Sequence, residues 1–569
     1  MELLWSHITM DTWTLCPRQI ASMPTTTGER MGVSQMARGL IYRIQNDSSI
    51  YELQQGFFVQ GLRFADPMPR SNSLWLLPLP REEDDQRNPM IISLGFDFCD
   101  FNIDTEQNLG VFICPRQIHG IPSTWVYGVT VRLHQLTDGA PHPSARLPLL
   151  DVDCQTTERS GFFLQIHGDF IGVLMKSVVG DPDRFWLYDW KQGILQATVS
   201  SRHLDNFVFL SSTHFLLVRR DQASKLEIYS FRPRRVLSKV IPPPKPPRLL
   251  ASYVLATLAR SATVSGPIVV RFPPQFDVEG TPESDHKDDP EPSSGPAVGD
   301  ASNTTPSSLP SPQGPAASQG DSFLMNGPVA RPTEDAFRLV VLTMSVVMDL
   351  SRRSYTIFVA VTDLFRRAKE HERAQELQLN GSGSDPSPSI PLVVPWNEWG
   401  PQSTRMTEGS SNGAWVCYVY MHRFVYRTII PVPNERQQQE LTSLIHVLDF
   451  NPNMLHPNSL PYRRGSRLAP EEPNHRRPQR DGTESGVWLQ DPDILQEEDD
   501  DRPSSESIII DQPTTFPADM FAEELVTTLP FRKTTSNVPF SGSLFPMIDA
   551  ERIILIDVRG GILLSILHF

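Results

Sequence analysis

A carboxylate between two tryptophans is the arrangement in this sequence with the most chemical potential. Glu398 lies between Trp396 and Trp399, and aromatic platforms beside a carboxylate could hold a sugar. Hydrolysis of a glycosidic bond usually requires two carboxyl groups at a fixed separation, and the sequence indicates no second one. We therefore expect this segment to be non-catalytic.

Other catalytic and metal-binding motifs are missing from the sequence. It contains no GxxxxGK[ST] phosphate loop, no GxGxxG after a strand and no HExxH. The 14 histidines lie mostly apart, and we interpret His167 as a surface turn residue. Cys99 and Asp97 share one strand face, but two such groups make a poor metal site, so Cys99 is expected to be a buried thiol. We predict no enzymatic activity, no cofactor and no metal.

The elements that could position functional residues are almost all strands. Short apolar or alternating runs rich in Val, Ile, Phe, Tyr and Trp recur along the chain between Asp, Gly, Asn and Pro turns. This pattern is typical of antiparallel meanders. One stretch, 362–380, has helical periodicity with few apolar positions, which predicts a single surface helix lying on a sheet.

A repeated turn makes the meander more specific. The segment Leu187–Gly193 (LYDWKQG) matches Leu555–Gly561 (LIDVRGG), which aligns Asp189 with Asp557 and Gly193 with Gly561. Trp190 lies 41 residues before Phe231, within the ~40–45 residue spacing of a four-stranded propeller blade. We predict an all-β fold, an irregular β-propeller of about seven blades, with six or eight allowed. The blades are expected near 41–80, 91–140, 160–200, 204–245, 266–362, 395–450 and 506–569. Two β-sandwich-like domains remain the alternative.

The composition of the sequence predicts an N-terminal segment, one domain and three insertions. Residues 1–40 are predicted to be an irregular N-terminal segment, and 41–569 a single propeller-like domain. Three stretches rich in Pro, Ser, Gly and charge have too little apolar surface to fold and are predicted to be disordered insertions. They are 276–334, 378–394 and 453–505.

Charge and cysteine content restrict the partners and the compartment. The net charge is −15, from 51 basic and 66 acidic residues, which argues against a nucleic-acid binder. The 5 cysteines form no CxxC pair, which fits a reducing compartment. No window approaches the ~18 apolar residues of a membrane span, and the first residues do not resemble a signal peptide. We expect a cytoplasmic or nuclear protein that is not secreted and binds no membrane.

A proline-rich segment offers a possible binding motif. Residues 242–248 (PPPKPPR) would adopt polyproline II and contain PxxPxR, formed by Pro243, Pro246 and Arg248. Some SH3 domains bind this pattern. Because the segment lies between two predicted blades, we favour the interpretation as a stiff linker.

A family resemblance begins at the two tryptophans. The segment Val394–Arg405 contains WxxWGPxxTR, which includes Trp396, Trp399, Gly400, Pro401 and Arg405. It resembles a segment in the F-box proteins of mushroom-forming fungi. Further segments resemble the same group in the same order: Tyr51–Leu53, Gly56–Val59, Phe101–Asp104, Leu109–Phe112, Leu187–Gly193, Ile228–Phe231, Val447–Asn451 and Leu529–Arg532.

The resemblance implies the substrate-recruiting region of an F-box subunit in a Skp1–cullin–F-box ubiquitin ligase, which would bind protein partners through propeller loops. Residues 1–40 carry no LPxE-like start and no amphipathic helix pattern. The F-box itself is therefore not expected in this chain, and Skp1 is expected as a partner only if an F-box lies upstream. The alternative is an interaction scaffold without a ligase connection. For the motif around Trp396, a structural role between blades is favoured over target binding.

Overall fold

The fold was analysed on a computed structural model. It describes residues 40–44, 50–62, 71–80, 88–119, 126–156, 161–177, 181–221, 223–234, 243–272, 337–381, 390–409, 418–433, 439–455, 506–536, 540–541, 544–550, 552–557 and 562–568.

Seven sheets of four or more strands, antiparallel except for one added strand, follow one another in the described chain, and each forms one blade. Blade 1 consists of β2 (Tyr51–Gln54), β3 (Phe57–Leu62), β4 (Ser71–Pro78) and β5 (Met90–Phe98). Blade 2 consists of β6 (Asp100–Asp104), β7 (Leu109–His119), β8 (Val126–Gln135) and β9 (Leu149–Thr156). Blade 3 consists of β10 (Gly161–His167), β11 (Phe170–Lys176), β12 (Asp183–Asp189) and β13 (Ile194–Ser201).

Blades 4 and 5 are joined by an insertion. Blade 4 consists of β14 (Leu204–Ser211), β15 (His214–Arg220), β16 (Ser224–Ser230) and β17 (Arg248–Val254), and β22 (Leu392–Val394) pairs in parallel with β17. Blade 5 consists of β18 (Ala262–Val264), β19 (Val269–Arg271), β20 (Leu339–Met348), β21 (Ser351–Ala360) and β23 (Thr404–Glu408). The helices α1 (Val361–Gly381) and α2 (Trp396–Ser403) flank β22 in the connection from β21 to β23.

Blades 6 and 7 complete the fold. Blade 6 consists of β24 (Val419–Tyr420), β25 (Arg423–Pro433), β26 (Gln439–Asp449), β27 (Glu506–Ile510), β30 (Phe531–Thr535) and β31 (Phe540–Ser541). A short 3-10 helix (Pro452–Met454) follows β26, and a separate ribbon is formed by β28 (Thr514–Phe516) and β29 (Leu525–Thr527). Blade 7 consists of β32 (Leu544–Ile548), β33 (Arg552–Asp557), β34 (Ile562–His568) and, as its outer strand, β1 (Leu40–Ile44).

The first described strand closes the ring. β1 pairs antiparallel with β34, with Leu40 opposite Ile566 and Ile44 opposite Ile562. The first and the last described strands therefore share one sheet, which covers a strand edge that an open meander would expose.

Hydrophobic clusters lie between neighbouring blades all around the ring. Blades 5, 6 and 7 share one cluster, and each remaining neighbouring pair has its own. Representative members of these clusters, in blade order from 1–2 to 7–1, are Phe98 and Phe101, Val111 and Val173, Phe185 and Phe207, Val218 and Val340, Phe358 with Phe424 and Leu555, and Ile554 and Phe58. This radial series of cores confirms the predicted all-β propeller of about seven blades and does not fit two face-to-face sandwiches.

The second strand of a blade shows why short apolar runs specify this fold. β11 is buried along its length except at Lys176. Ile171 and Val173 pack towards blade 2, whereas Phe170 and Leu174 pack towards blade 4. Because successive side chains of a strand point to opposite faces, a strand between two neighbouring blades must be apolar at every position.

The predicted blade boundaries need correction. Residues 41–44 were assigned to the first blade, but β1 belongs to the last, and the other strands shift accordingly. Sequence pattern locates a strand without indicating its partner. The insertion predicted at 378–394 is also too wide, because α1 extends to Gly381 and β22 begins at Leu392. The insertion at 276–334, residues 456–505 of the third insertion and residues 1–39 lie outside the described residues.

Ring closure by β1 predicts a clear effect of truncation. Deletion of residues 1–44 uncovers the apolar edge strand β34, so we expect the thermal midpoint to fall by roughly 5 °C or more and the protein to self-associate. Deletion of residues 1–39 keeps β1 and is the matched control. Scanning fluorimetry and size-exclusion chromatography measure both effects, and equal behaviour of the two truncations would contradict the closure.

Candidate interaction face

The long connections of the ring begin and end on one face. In an antiparallel meander, the connections between strands alternate between the two ends of the blade, so first-to-second and third-to-fourth connections share a face. The three longest connections are all of this kind: 272–338, 361–403 and 450–530. Between the described strands, no connection on the opposite face is longer than 10 residues. We call the side with the long connections the insertion face.

Helix α1 lies on the insertion face above blade 4. Leu364 and Ala368 are buried, and the Tyr253 hydroxyl donates a hydrogen bond to the Leu364 carbonyl at 2.6 Å. His214 Nε2 lies 3.0 Å from Glu372 Oε2, and this hydrogen bond holds the pKa of Glu372 below its usual value. The helix predicted at 362–380 is thus confirmed as a surface helix on a sheet.

The WxxWGP segment forms helix α2. Trp399 is fully buried and donates its indole N–H to the Val254 carbonyl at 2.9 Å. Trp396 stacks edge-on against it, with ring centroids 5.2 Å apart. A side chain at Gly400 would start 2.3 Å from the Trp396 ring, so the close packing requires glycine. The carbonyl of Pro401, inside this helix, accepts both the amide and the hydroxyl of Thr528 at 2.8 Å.

The burial of both indoles excludes the sugar platform that the sequence allows, and it determines which residues of α2 face solvent. Trp396 is 6% exposed and Trp399 0%, so neither ring offers a platform to a sugar or a protein target. Asn397 and Glu398 are the exposed residues of this turn of helix. The packing of α2 between β17 and β29 outweighs the low helix propensity of its Gly and Pro residues.

Arg405 joins blade 5 to the long connection of blade 6. Its side chain is fully buried. Nε donates to the Leu529 carbonyl at 2.8 Å, and Nη1 donates to the Gln512 carbonyl at 2.8 Å and to the Thr514 hydroxyl at 2.6 Å. The guanidinium lies 5.3 Å from the Phe531 ring centroid, and burial lowers the pKa of Arg405. Arg405 therefore has a structural role, because its hydrogen bonds link blade 5 to blade 6.

The repeated turn motif also packs between blades. The Asp189 carboxylate accepts the Gln192 amide at 2.9 Å, and Trp190 is fully buried and donates its indole N–H to the Gly168 carbonyl at 2.9 Å. Gly193 has a φ of +68°, which favours glycine. In the second copy, Asp557 pairs with Leu544 and Leu563 through the backbone, whereas Gly561 lies outside the described residues.

Polar contacts connect the turns of blades 1 to 3 on the insertion face. The Gln55 side-chain oxygen accepts the Thr105 amide at 2.6 Å, and the Gln107 side chain donates to the Gly168 carbonyl at 2.9 Å. His167 stacks on Phe209 of blade 4, with ring centroids 5.4 Å apart. The interpretation of His167 as a surface residue is therefore wrong. It is 7% exposed, and burial lowers its pKa to about 4.

A buried charge cluster, which the sequence did not indicate, lies on the opposite face. Lys176 donates to Asp183 at 2.9 Å and to Asp205 at 3.2 Å. Asp205 also accepts the Arg220 guanidinium at 3.0 Å and the Ile268 amide at 2.9 Å. The cluster joins blades 3, 4 and 5. No sequence signal could have found it, because its members are ordinary charges far apart in the chain.

The proline-rich segment has a different place from the one predicted. Residues 243–247 lie within blade 4, between β16 and β17 and on the insertion face, and do not link two blades. Pro243 and Pro246 are exposed, whereas Arg248 begins β17 and donates to the Gln375 side chain of α1.

Among the described residues, no group of three or more His, Cys, Asp or Glu side chains is arranged to hold a metal. Burial raises the pKa of the Cys114 thiol to about 12, so it is not a ready nucleophile. Burial also raises the pKa of Asp100 to about 7. In the same part of the chain, no helix is both long and apolar enough to cross a membrane.

Comparison with known proteins adds one structural similarity. A scan against protein-family models gave no match, and neither did a search of curated proteins. Solved structures that match include the WD40 domain of SCAP from fission yeast, with a TM-score of 0.27 and 7% identity over 93% of this chain and 98% of that chain. The fold rests on the strand pairing. The described residues form a seven-bladed propeller.

Proposed function

We propose that this chain is a non-enzymatic, cytoplasmic or nuclear protein-recognition propeller that presents its insertion face to a protein target. The observation that carries the proposal is the location of the longest connections on that face. Rigid scaffolds commonly carry their binding residues on such connections. α1 contributes an exposed stripe of Arg366, Glu370 and Arg373 there, and mixed charge of this kind suits a polar protein interface.

We propose further that the recognition serves substrate recruitment in a Skp1–cullin–F-box ubiquitin ligase. The support is the resemblance of the ordered segments around Trp396, Leu187 and Leu529 to F-box proteins of mushroom-forming fungi. Skp1 would be a partner only through an F-box upstream of the propeller.

A scaffold without a ligase connection is the second candidate. It requires only the insertion face and its long connections, and no segment that binds an adaptor. The two candidates share the insertion face and differ in whether a cullin accompanies the target.

Site-specific photo-crosslinking tests the proposal. A photoreactive residue at exposed Arg373 on the insertion face should yield a discrete protein adduct in cells, whereas one at exposed Arg202 on the opposite face should not. Adducts from position 202 alone would contradict the assignment of the face. Cullin and Skp1 in the same purification, with a target that accumulates when the chain is depleted, would support recruitment. A stable target without either would favour the scaffold.

A further inference from the structure

The segment 243–247 (PPKPP) is a short rod on the insertion face. It contains neither helix nor strand. Proline fixes φ near −65°, and a proline-rich run adopts polyproline II with three residues per turn. Residues three apart therefore lie on the same edge of the rod.

Exposure along the segment follows this period of three. Pro243 and Pro246 are exposed, whereas Pro244 and Pro247 are partly buried. One edge of the rod therefore packs on the protein and another faces solvent. Lys245, on the third edge, is exposed as well.

Both ends of the rod are held in place. The Pro243 carbonyl accepts a hydrogen bond from Arg234 Nη1 at 2.7 Å. At the other end, Arg248 begins β17 and pairs with Ser230. A partner would meet a rod that is already ordered, so binding would cost little conformational entropy.

The arginine of the PxxPxR pattern is engaged within the fold. Its guanidinium donates to the Gln375 side chain, and its charge helps to lower the pKa of Glu372. The exposed cation next to the outward prolines is therefore Lys245.

We propose that the outward edge of Pro243 and Pro246, together with Lys245, docks into the aromatic-lined groove of an SH3-type domain with an acidic rim. Proline edges of this kind fill such grooves, and the acidic rim would pair with Lys245. This site goes beyond the proposed function, because it would bind a second partner. That binding does not depend on a target bound elsewhere on the insertion face.

Calorimetry with a purified SH3 domain tests the proposal. The probe is an SH3 domain chosen from a panel because it binds the synthetic peptide 240–251. The full chain should bind the same domain, and Pro246→Ala should weaken binding at least about tenfold, as expected when one of two groove-filling residues is lost. Pro247→Ala, on the inward edge, is the matched control and should change affinity less than about threefold. Circular dichroism verifies that both variants fold.

The charge assignment is tested separately. In the full chain, Lys245→Glu should weaken binding of the SH3 domain about tenfold, whereas Arg248→Ala should change the affinity less than about threefold. The proposal would be overturned if no SH3 domain bound the peptide, or if the peptide bound and the full chain did not. Equal effects of the Pro246 and Pro247 variants, or a requirement for Arg248 in place of Lys245, would also overturn it.

Discussion

Arg405→Ala should destabilise the protein by about 4 kcal/mol. The substitution removes a fully buried guanidinium that satisfies the carbonyls of Leu529 and Gln512 and the hydroxyl of Thr514. The Leu529 carbonyl would remain buried without that donor, the part-buried Gln512 carbonyl and Thr514 hydroxyl would lose theirs, and a cavity would face Phe531. Denaturant titration followed by tryptophan fluorescence measures the loss.

Two further variants make this prediction specific. Arg405→Lys keeps the charge but loses the planar fork, so we expect about half of the full loss, roughly 2 kcal/mol. Arg366→Ala removes an exposed arginine of α1 with surface ion pairs to Asp363 and Glu370, and should change stability by less than about 0.5 kcal/mol. If Arg405→Ala changed stability as little as Arg366→Ala, the claim that Arg405 stabilises the contact between blades 5 and 6 would be wrong.

Acid should destabilise the protein through two buried histidines. His167 and His446 are 7% and 6% exposed, and burial lowers the pKa of each to about 4. His446 bridges the Thr535 and Thr428 hydroxyls, each at 3.0 Å. In the unfolded chain, the pKa of histidine returns to ~6.5.

These pKa values determine how the folding stability changes with pH. Above pH ~6.5 both states hold neutral histidine, so neither residue contributes to the pH dependence. As the pH falls from ~6.5 to 4, the unfolded chain binds protons that the folded protein does not. Each histidine then costs up to about 3 kcal/mol of folding stability, and the loss levels off below pH 4.

Protonation of Asp100 stabilises the folded protein as the pH falls, which opposes the effect of the histidines. The contribution of the histidines must therefore be measured by mutating them. Its raised pKa of about 7 means that protonation relieves a buried charge as the pH falls towards 4. The double variant His167→Gln, His446→Gln should therefore lose less stability between pH 7 and pH 4 than the unmodified chain, by up to about 6 kcal/mol. Identical pH profiles of unfolding for the two proteins would show that the histidines are not buried in the neutral form.

The all-β fold and the approximate number of blades were predictable because burial leaves a local mark in the sequence. A run such as Phe170–Met175 is apolar at every position since it lies between two blades. Turn residues such as Asp189 and Gly193 mark where such runs end, because their side-chain and backbone requirements are also local.

The remaining features depend on contacts between distant residues. β1 pairs with a strand more than 500 positions away, and its sequence carries no sign of that partner. α2 forms although Gly400 and Pro401 disfavour it, because it packs between β17 and β29 and its Trp399 is fully buried. The proline segment looked like a linker because the return of the chain into blade 4 at Arg248 was not visible in its sequence.

An engineered disulfide between β1 and β34 tests the ring most directly. In a background without native cysteines, cysteines at Tyr42 and Leu564, which lie opposite each other, should form a bond that changes gel mobility and appears in peptide mapping. The paired control places cysteines at Tyr42 and Glu52, as expected if β1 belonged to the first blade. A bond between positions 42 and 564 supports the closed propeller. A bond between positions 42 and 52, with none to 564, would contradict it.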